Sequence, residues 1–415
     1  MLYGSAKIQL NDLSSNTEKA LRVLSLMCRD LYNVSTRTIC DHYEQTGKVL
    51  NYQQLKQKIQ NSNEYQNIGG KYFMVMLTAI ADFKKYISTD NYILRKSDKT
   101  LQAKNLDKFF PPKLHMCFRA IELKPPYLDD TGCLILPSTQ KTSLIKLPIP
   151  EQYQKKDLQS ITIRPLHHVS SWELIITYPV EPVLHSNLDP NHALGIDLGI
   201  TNFATCADSL TGNSFIIDGR RLKSMIQGYY KYFAKHRASS GGNLGTKRIR
   251  SLCRKFYHQR EDYVRKSAAY IIRYCVENNI GHIVLGWGVH FQQSNLGINN
   301  RLYKLMPFAK LKDALAFQCR KHGIRFTLAD ECFTSQASFI DLDPMPKHIS
   351  PQEHQFSGKR IKRGLYMSGD GIVINADVNG AFNILRKAGS VELSFVKSWQ
   401  DGRGITSPKR IDPLK

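Results

Sequence analysis

The chain has 415 residues, enough for two or three domains at the usual ~100–200 residues each. Its 42 % apolar content is that of a globular protein, and no apolar run reaches the ~18 residues of a membrane span, which excludes a disordered chain and a helical membrane protein as readings. The 58 Lys+Arg against 35 Asp+Glu leave a formal charge of +23, which calls for a polyanionic partner, nucleic acid first among candidates.

Met1–Lys7 has neither a charged n-region nor an apolar h-region, so no signal peptide is expected. Lys7-Ile8-Gln9-Leu10 alternates like a first strand. Asn16-Thr17-Glu18 reads as a helix start, and Leu21, Leu24, Cys28, Leu31 and Tyr32 follow at helical spacing toward Tyr43. Further helical blocks cover Tyr52–Ile59 and Lys71–Ile87. From Phe109 to Pro182 prolines punctuate short alternating runs: Leu114–Leu123, Gly132–Leu136, Ser143–Leu147, Ile161–Pro165 and Trp172–Tyr178. That is an all-β pattern, a barrel or small sandwich, to which residues 1–12 add a strand. The helical block is then an insert between strands one and two.

Pro182–Asn191 is a linker. Ala193-Leu194-Gly195-Ile196-Asp197-Leu198-Gly199 follows as an alternating strand. Leu194, Ile196 and Leu198 fall on one face, and Ala193, Gly195 and Asp197 on the other. Phe203–Asp208 and Ser214–Ile217 continue at hairpin spacing, so three strands open an RNase H-like sheet. Residues 220–266 carry fourteen Lys/Arg against Glu261 and Asp262, broken by the flexible Ser239–Asn243. A long helix then runs from Thr246 to Asn279. Arg248, Arg250, Arg254, Lys255 and Arg260 crowd one side of it, a density and single sign that favour phosphate contact over a merely solvated face. Gly281–Gly288 reads as a buried strand opening into a glycine turn, Phe308–Gly323 as a helix and Arg325–Glu331 as a strand. A basic loop holds Lys359, Arg360, Lys362 and Arg363. Asn375–Leu385 places Asp377 at the start of an amphipathic helix, and the residues after Lys387 read as a short polar tail. The nine cysteines occur singly with no C-x-x-C pair, which fits reduced thiols in a cytoplasmic protein and argues against a cysteine zinc site.

Phosphodiester hydrolysis with two Mg²⁺ ions needs carboxylates converging from separate elements on ions ~3.5–4 Å apart. Asp197, Glu331 and Asp377 sit at the edges of apolar elements beside residues that permit close approach: Gly199, Thr334-Ser335 and Gly380. Each has a plainer use. Asp197 could cap its own turn, Asp377 its helix, and Glu331 could be a solvated strand end with Asp330 as rival. Taken singly, none is specific.

In order, Gly195-Ile196-Asp197-Leu198-Gly199, Ile283-Val284-Leu285-Gly286, Phe333-Thr334-Ser335-Gln336 and Asp377-Val378-Asn379-Gly380-Ala381-Phe382-Asn383-Ile384 resemble the TnpB family of transposon-encoded RNA-guided endonucleases, similar to compact type V CRISPR effectors. The resemblance is specific over residues 191–388 and looser before them. It implies a multidomain α/β chain: a β-barrel wedge domain (1–12 and 108–185), an inserted α-helical recognition domain (13–107), a RuvC nuclease domain with an RNase H-like core (191–388) and a C-terminal tail (389–415). It also implies a guide RNA, double-stranded target DNA and Mg²⁺, with no membrane partner and a cytoplasmic, nucleoid-associated location. Two departures matter. Many relatives carry a zinc ribbon between the Thr-Ser motif and the last Asp, whereas residues 337–341 and 356–371 hold no Cys, so no zinc is expected and the Gly358–Tyr366 loop must hold itself by packing. Many relatives also end the strand matching Ile283–Leu285 in Glu, where this chain has Gly286. Either the site is inactive or Glu331 has replaced that acid, as one branch of the family looks to have done. The expected catalytic and metal-ligating set is thus Asp197, Glu331 and Asp377. The rival readings are an RNA-guided protein that binds without cutting, and a transposase or integrase using a carboxylate triad.

Overall fold

A computed structural model describes residues 2–10, 13–68, 70–88, 118–154, 157–166, 171–243, 246–288, 300–346, 355–389 and 403–415. Parts of the sequence reading lie outside them: the start of the expected strand at Leu114 and the end of the expected recognition domain beyond Ser88. The chain forms two compact units, Tyr3–Val180 and Glu181–Lys415. No described helix is long and apolar enough to cross a membrane.

In the first unit β1 (Leu2–Leu10) precedes four helices, α1 (Ser15–Thr46), α2 (Tyr52–Ile59), α3 (Asn63–Ile68) and α4 (Met74–Ile87). The Ser14 side chain caps α1 by accepting from the Thr17 N–H, and Gly47 ends it at φ 67°. Leu21, Leu24, Cys28, Leu31, Ser35 and Ile39 form its buried stripe. The strands that follow are β2 (Ile121–Leu123), β3 (Tyr127–Leu128), β4 (Cys133–Leu136) and β5 (Ile145–Pro148), then, after a turn of helix α5 (Glu151–Gln154), β6 (Ser160–Leu166) and β7 (Ser171–Val180). They make two sheets, β1-β7-β6-β2 and β3-β4-β5. One apolar core joins helices and sheets, from Leu21 and Tyr72 to Leu147, Ile163 and Trp172.

The second unit is built on a six-stranded sheet. Its strands are β8 (Asp189–Leu198), β9 (Asn202–Asp208), β10 (Ser214–Asp218), β11 (Ile280–Gly286), β12 (Arg325–Ala329) and β16 (Lys409–Ile411), in the order β12-β11-β8-β9-β10-β16. β8, β9 and β10 form an antiparallel meander, while β11 and β12 add in parallel on the other side of β8. Helices α6 (Arg220–Ser239) and α7 (Lys247–Glu277) link β10 to β11, and α8 (Asn300–Leu305) and α9 (Phe308–His322) precede β12. A small antiparallel sheet of β13 (Lys359–Lys362), β14 (Leu365–Met367) and β15 (Val373–Asn375) leads into α10 (Ala376–Lys387). After α11 (Arg403–Thr406), β16 pairs in parallel with β10, so residues expected to be a polar tail supply an edge strand. Nothing in Lys409-Arg410-Ile411 alone marks a strand; the exposed edge of β10 selects it.

The sheet is buried on both faces, and the alternation of β8 divides them. Leu194 and Ile196 face a core shared with Ile226, Tyr263, Ile271 and Phe308. Ala193 lies in a second core with Val284, Val378, Phe382 and Leu385, under α10. Asp197, two positions on from Gly195 and four from Ala193, therefore points to the α10 side.

Candidate active site

Three acids meet where the parallel strands end, the usual place for a site in an α/β sheet. Asp197 is the penultimate residue of β8. In the β8–β11 register Leu285 faces Ile196, which sets Gly286 beside Asp197. Gly286 in turn pairs with Ala329, the last residue of β12, and Glu331 lies two residues beyond. A β-carbon on Gly286 would come 2.8 Å from Glu331 Oε1 and 3.0 Å from its Cγ. Glu331, just past the outer strand, occupies the space that a side chain on the middle strand would fill.

The turn after Glu331 fixes this arrangement. Thr334 donates to the Glu331 carbonyl from its N–H (3.2 Å) and its hydroxyl (2.9 Å), while Phe333 takes φ 64°. Two asparagines of α10 hold the loop that follows. Asn383 Nδ2 donates to the carbonyls of Thr334 (3.0 Å) and Ala337 (2.7 Å). Asn379 donates to Ala337 O (2.8 Å) and accepts from the Phe339 N–H (3.0 Å). Both are wholly buried, so each amide answers backbone groups that water cannot reach. In sequence they looked like parts of a motif; their work is to lock the Glu331 loop onto the helix that bears Asp377.

Asp377 is not the cap of α10. Asn375 is, accepting from the N–H groups of Asp377 (3.0 Å) and Val378 (3.2 Å). The Asp377 carboxylate instead accepts from Asn202 Nδ2 and lies 3.6 Å from Arg360. Gly380, one turn on, allows the helix to close on β8: a β-carbon there would sit 2.9 Å from Asp197 Oδ2.

The electrostatics follow from this crowding. Burial raises the Asp197 carboxyl well above its usual range, and the charges of Asp377 and Glu331 raise it further, against Arg360. Burial pushes Glu331 up to about 7, although the Gly288 N–H donates to it. Glu331 Oε1 is buried with no hydrogen-bond partner, as is Asn202 Oδ1. An all-oxygen set of crowded acids with a buried orphan oxygen fits a hard divalent cation better than it fits solvent. Their present positions are not a closed coordination shell: among the described residues no three His, Cys, Asp or Glu side chains stand ready to hold a metal. Tyr303 borders the same acids, and burial with the charges of Glu331 and Asp197 lifts its hydroxyl to about 12. Neither Asn202 nor Tyr303 carried a sequence signal as a site residue.

Asp330, the rival, is turned away. It pairs with Lys387 at 3.3 Å and is half exposed. Glu277 lies in α7, its side chain 64 % exposed and 4.0 Å from Arg273. Of the expected basic residues, Arg248, Arg254, Lys255, Lys362 and Arg363 are exposed and Arg250 is half-buried. Arg360 is exposed but reaches the acids. Arg260 departs from expectation. It donates to the Leu305 carbonyl at 3.2 Å and lies over the Phe256 ring, so it braces α7 rather than facing solvent. Its spacing matches the solvent stripe of α7, but α8, absent from the sequence reading, covers it.

In the stretch expected to lack zinc, the β13–β15 sheet is tied by carboxylates. Asp343 accepts from the Ser338 N–H (2.7 Å) and the Ser357 hydroxyl (2.6 Å), and Asp341 from the Gly369 N–H (2.7 Å). Tyr366, 1 % exposed, donates to Gln336 O at 2.7 Å.

Comparison with known proteins agrees with this fold. A family model described as "Probable transposase" (OrfB_IS605) matches residues 176–289. The TnpB-like protein ORF457 of Acidianus two-tailed virus is 25 % identical over 235 residues, 54 % of this chain and 48 % of that protein. The chain thus spans about half the length of the curated relative it matches. A solved Cas12f1–sgRNA–target DNA complex superposes with a TM-score of 0.55 at 12 % identity, covering 89 % of this chain and 83 % of that one. A mini-RNA-guided endonuclease, CRISPR-Cas_phi3, gives a TM-score of 0.47 at 10 % identity over 93 % and 92 %. The fold is that of a multidomain α/β protein resembling Cas12f1. The chain is thus similar to the transposase family over residues 176–289 and to a TnpB-like viral protein over 235 residues.

Proposed function

We propose that this chain is an RNA-guided DNA endonuclease with a RuvC domain, in which Asp197, Glu331 and Asp377 form the cutting site. One observation carries the reading: three acids from separate elements crowd the same strand ends, and Glu331 fills the space beside Gly286. The meander β8–β9–β10 followed by parallel β11 and β12 supports the RNase H-like core.

The chemistry asked of the site is in-line displacement at a phosphodiester. Bound Mg²⁺ would supply a polarised phosphoryl oxygen, an activated water and a stabilised leaving oxygen. Asp197 and Glu331 are suited to hold it because each ionises unwillingly without a cation. Asn202 and Asn375 orient Asp377, the first by its amide and the second by capping the helix. Arg360, exposed and 3.6 Å from Asp377, is available to pair with an incoming phosphate, which competes for the guanidinium as a second anion. Exposed Arg248, Arg254, Lys255, Lys362 and Arg363, with half-buried Arg250, supply positive surface for guide and target backbones.

A second reading, RNA-guided binding without cutting, draws on Gly286 and on the Arg360–Asp377 ion pair. One experiment separates them. The protein is purified with its co-purifying RNA, the RNA is sequenced, and matched double-stranded DNA is supplied with Mg²⁺. A structured RNA with a variable guide and cut DNA supports the first reading. The same RNA with intact DNA supports the second. Strand-transfer products without RNA would instead revive the transposase.

A further inference from the structure

The basic helix α6 has no part in the site described, yet its outer face is built unlike a solvated one. Over Arg220–Ser239 it has no acid and four aromatic residues, Tyr229, Tyr230, Tyr232 and Phe233. Its inner side is used: Leu222 and Ile226 are buried, and Tyr229 stacks on Phe256 of α7 with centroids 4.1 Å apart. The other side holds an open cavity of about 620 Å³ lined by Tyr230, Phe233, Ala234, Arg237, Ala238 and Gly242. Tyr230 is 36 % exposed and Tyr232 56 %. A soluble helix ordinarily gives such positions to Glu, Lys or Gln.

We infer that this face of α6 is a base-stacking site for single-stranded DNA, gripping the strand that runs to the carboxylate site. Tyr230 and Phe233 lie one turn apart, each packed against Tyr229, and small Ala234 and Ala238 line the cavity beside them with Arg237, so a flat base can reach the rings and a phosphate the guanidinium. Lys231 and Lys235 flank the face, and no carboxylate on the helix opposes a polyanion. Arg220 and Arg221, at the start, are occupied by Asp218 and Asp412 and take no part.

Position selects the DNA strand over the guide. Gly219, just before α6, donates its N–H to the Thr201 carbonyl at 2.8 Å, in the turn that follows the Asp197 strand. At ~1.5 Å of rise per residue, Tyr230 and Phe233 stand about 15–20 Å along the helix from that turn. A strand leaving the acids reaches them within a few nucleotides. The inference rests on the nuclease reading for the identity of its ligand, but the site is tested by binding alone.

The test uses RNA-loaded protein and a single-stranded oligodeoxynucleotide carrying 2-aminopurine, in buffer without divalent metal so that nothing is cut. Tyr230→Ala should weaken binding about tenfold and remove the fluorescence quench of a stacked base, while the salt dependence stays as it was. Tyr230→Trp should retain both. Ala234→Glu, at an exposed position of the cavity lining, should weaken binding as strongly by placing a bulky anion in the cavity. Arg237→Ala should instead flatten the salt dependence by about one phosphate contact. Wild-type affinity and quench in Tyr230→Ala and Ala234→Glu would overturn the site. So would loss of the co-purifying RNA with DNA binding unchanged, which would assign the face to RNA, or a change in oligomeric state alone, which would assign it to protein. Intact stacking in a protein that cuts nothing with Mg²⁺ would refute the nuclease and leave this site standing.

Discussion

Replacing Glu331 with Gln should stabilise the metal-free protein at neutral pH, although it removes a site residue. The carboxyl ionises at an ordinary 4.5 in the unfolded chain and at about 7 when folded. Below pH 4.5 it is protonated in both states and contributes no difference. Between 4.5 and 7 the unfolded chain releases the proton first, so folding stability falls as pH rises. At ~1.4 kcal/mol per unit the loss is at most about 3 kcal/mol at pH 7.5. The glutamine amide removes that loss but stays partly unsatisfied in the same place, which leaves a net gain of about 1–2 kcal/mol. For a unit of this size that is a rise in Tm of about 2–8 °C. The assay is thermal denaturation in EDTA at pH 5 and pH 7.5. The variant should match the unmodified protein near pH 5 and exceed it at 7.5. Mg²⁺ should raise the Tm of the unmodified protein at pH 7.5 and do little for the variant. A variant less stable at pH 7.5, or offset equally at both pH values, would refute the placement of Glu331 in a crowded acid site.

Three further expectations follow from the same structure. Glu331→Ala with Gly286→Glu returns the acid to the middle strand and clears the Glu331 atoms 2.8 and 3.0 Å from a β-carbon at 286, leaving Ile384 Cδ1 at 2.5 Å to adjust. Part of the cutting lost in Glu331→Ala should return in the pair, whereas Gly286→Glu alone, with both acids in one space, should cut poorly and be unstable. Stoichiometric zinc should be absent from chelator-washed, active protein, because Asp341, Asp343 and Tyr366 already tie the β13–β15 sheet; zinc that tracks activity in metal analysis would contradict this. Replacing Arg248, Arg250 and Arg254 with Ala should flatten the fall of nucleic-acid affinity with salt, which for six or more phosphate contacts is roughly 10³-fold or more between 50 and 200 mM; an unchanged slope would leave α7 facing only solvent.

The places of Asp197 and Asp377 within their elements were legible because local pattern forces them. Alternation along β8 set Asp197 opposite Leu194 and Ile196, and the periodicity of α10 put Asp377 in its first turn. What pattern could not give was partnership between distant segments. Asn202 contacts Asp377 from 175 positions away, and Arg360 reaches it from a strand that reads only as a basic loop. The inward turn of Arg260 depends on α8, a helix of only six residues. The strand Lys409–Ile411 is polar and short, and only the vacant edge beside β10 makes it a strand. Helix α6 hid in a charge run, because lysines and tyrosines on its outer face masked the stripe of Leu222, Ile226 and Tyr229. Asn379 and Asn383 are polar residues wholly buried in a helix, which periodicity alone counts against burial.

The central claim is that Asp197, Glu331 and Asp377 form one cutting site. Its most direct test is cleavage of matched double-stranded DNA by the RNA-loaded protein with Mg²⁺, run beside Asp197→Asn, Glu331→Gln and Asp377→Asn. All three substitutions should abolish product while leaving guide-dependent DNA binding within about threefold, since each removes one charge and almost no volume. Full cleavage by Glu331→Gln, with the two aspartate variants inactive, would contradict the account and remove Glu331 from the site.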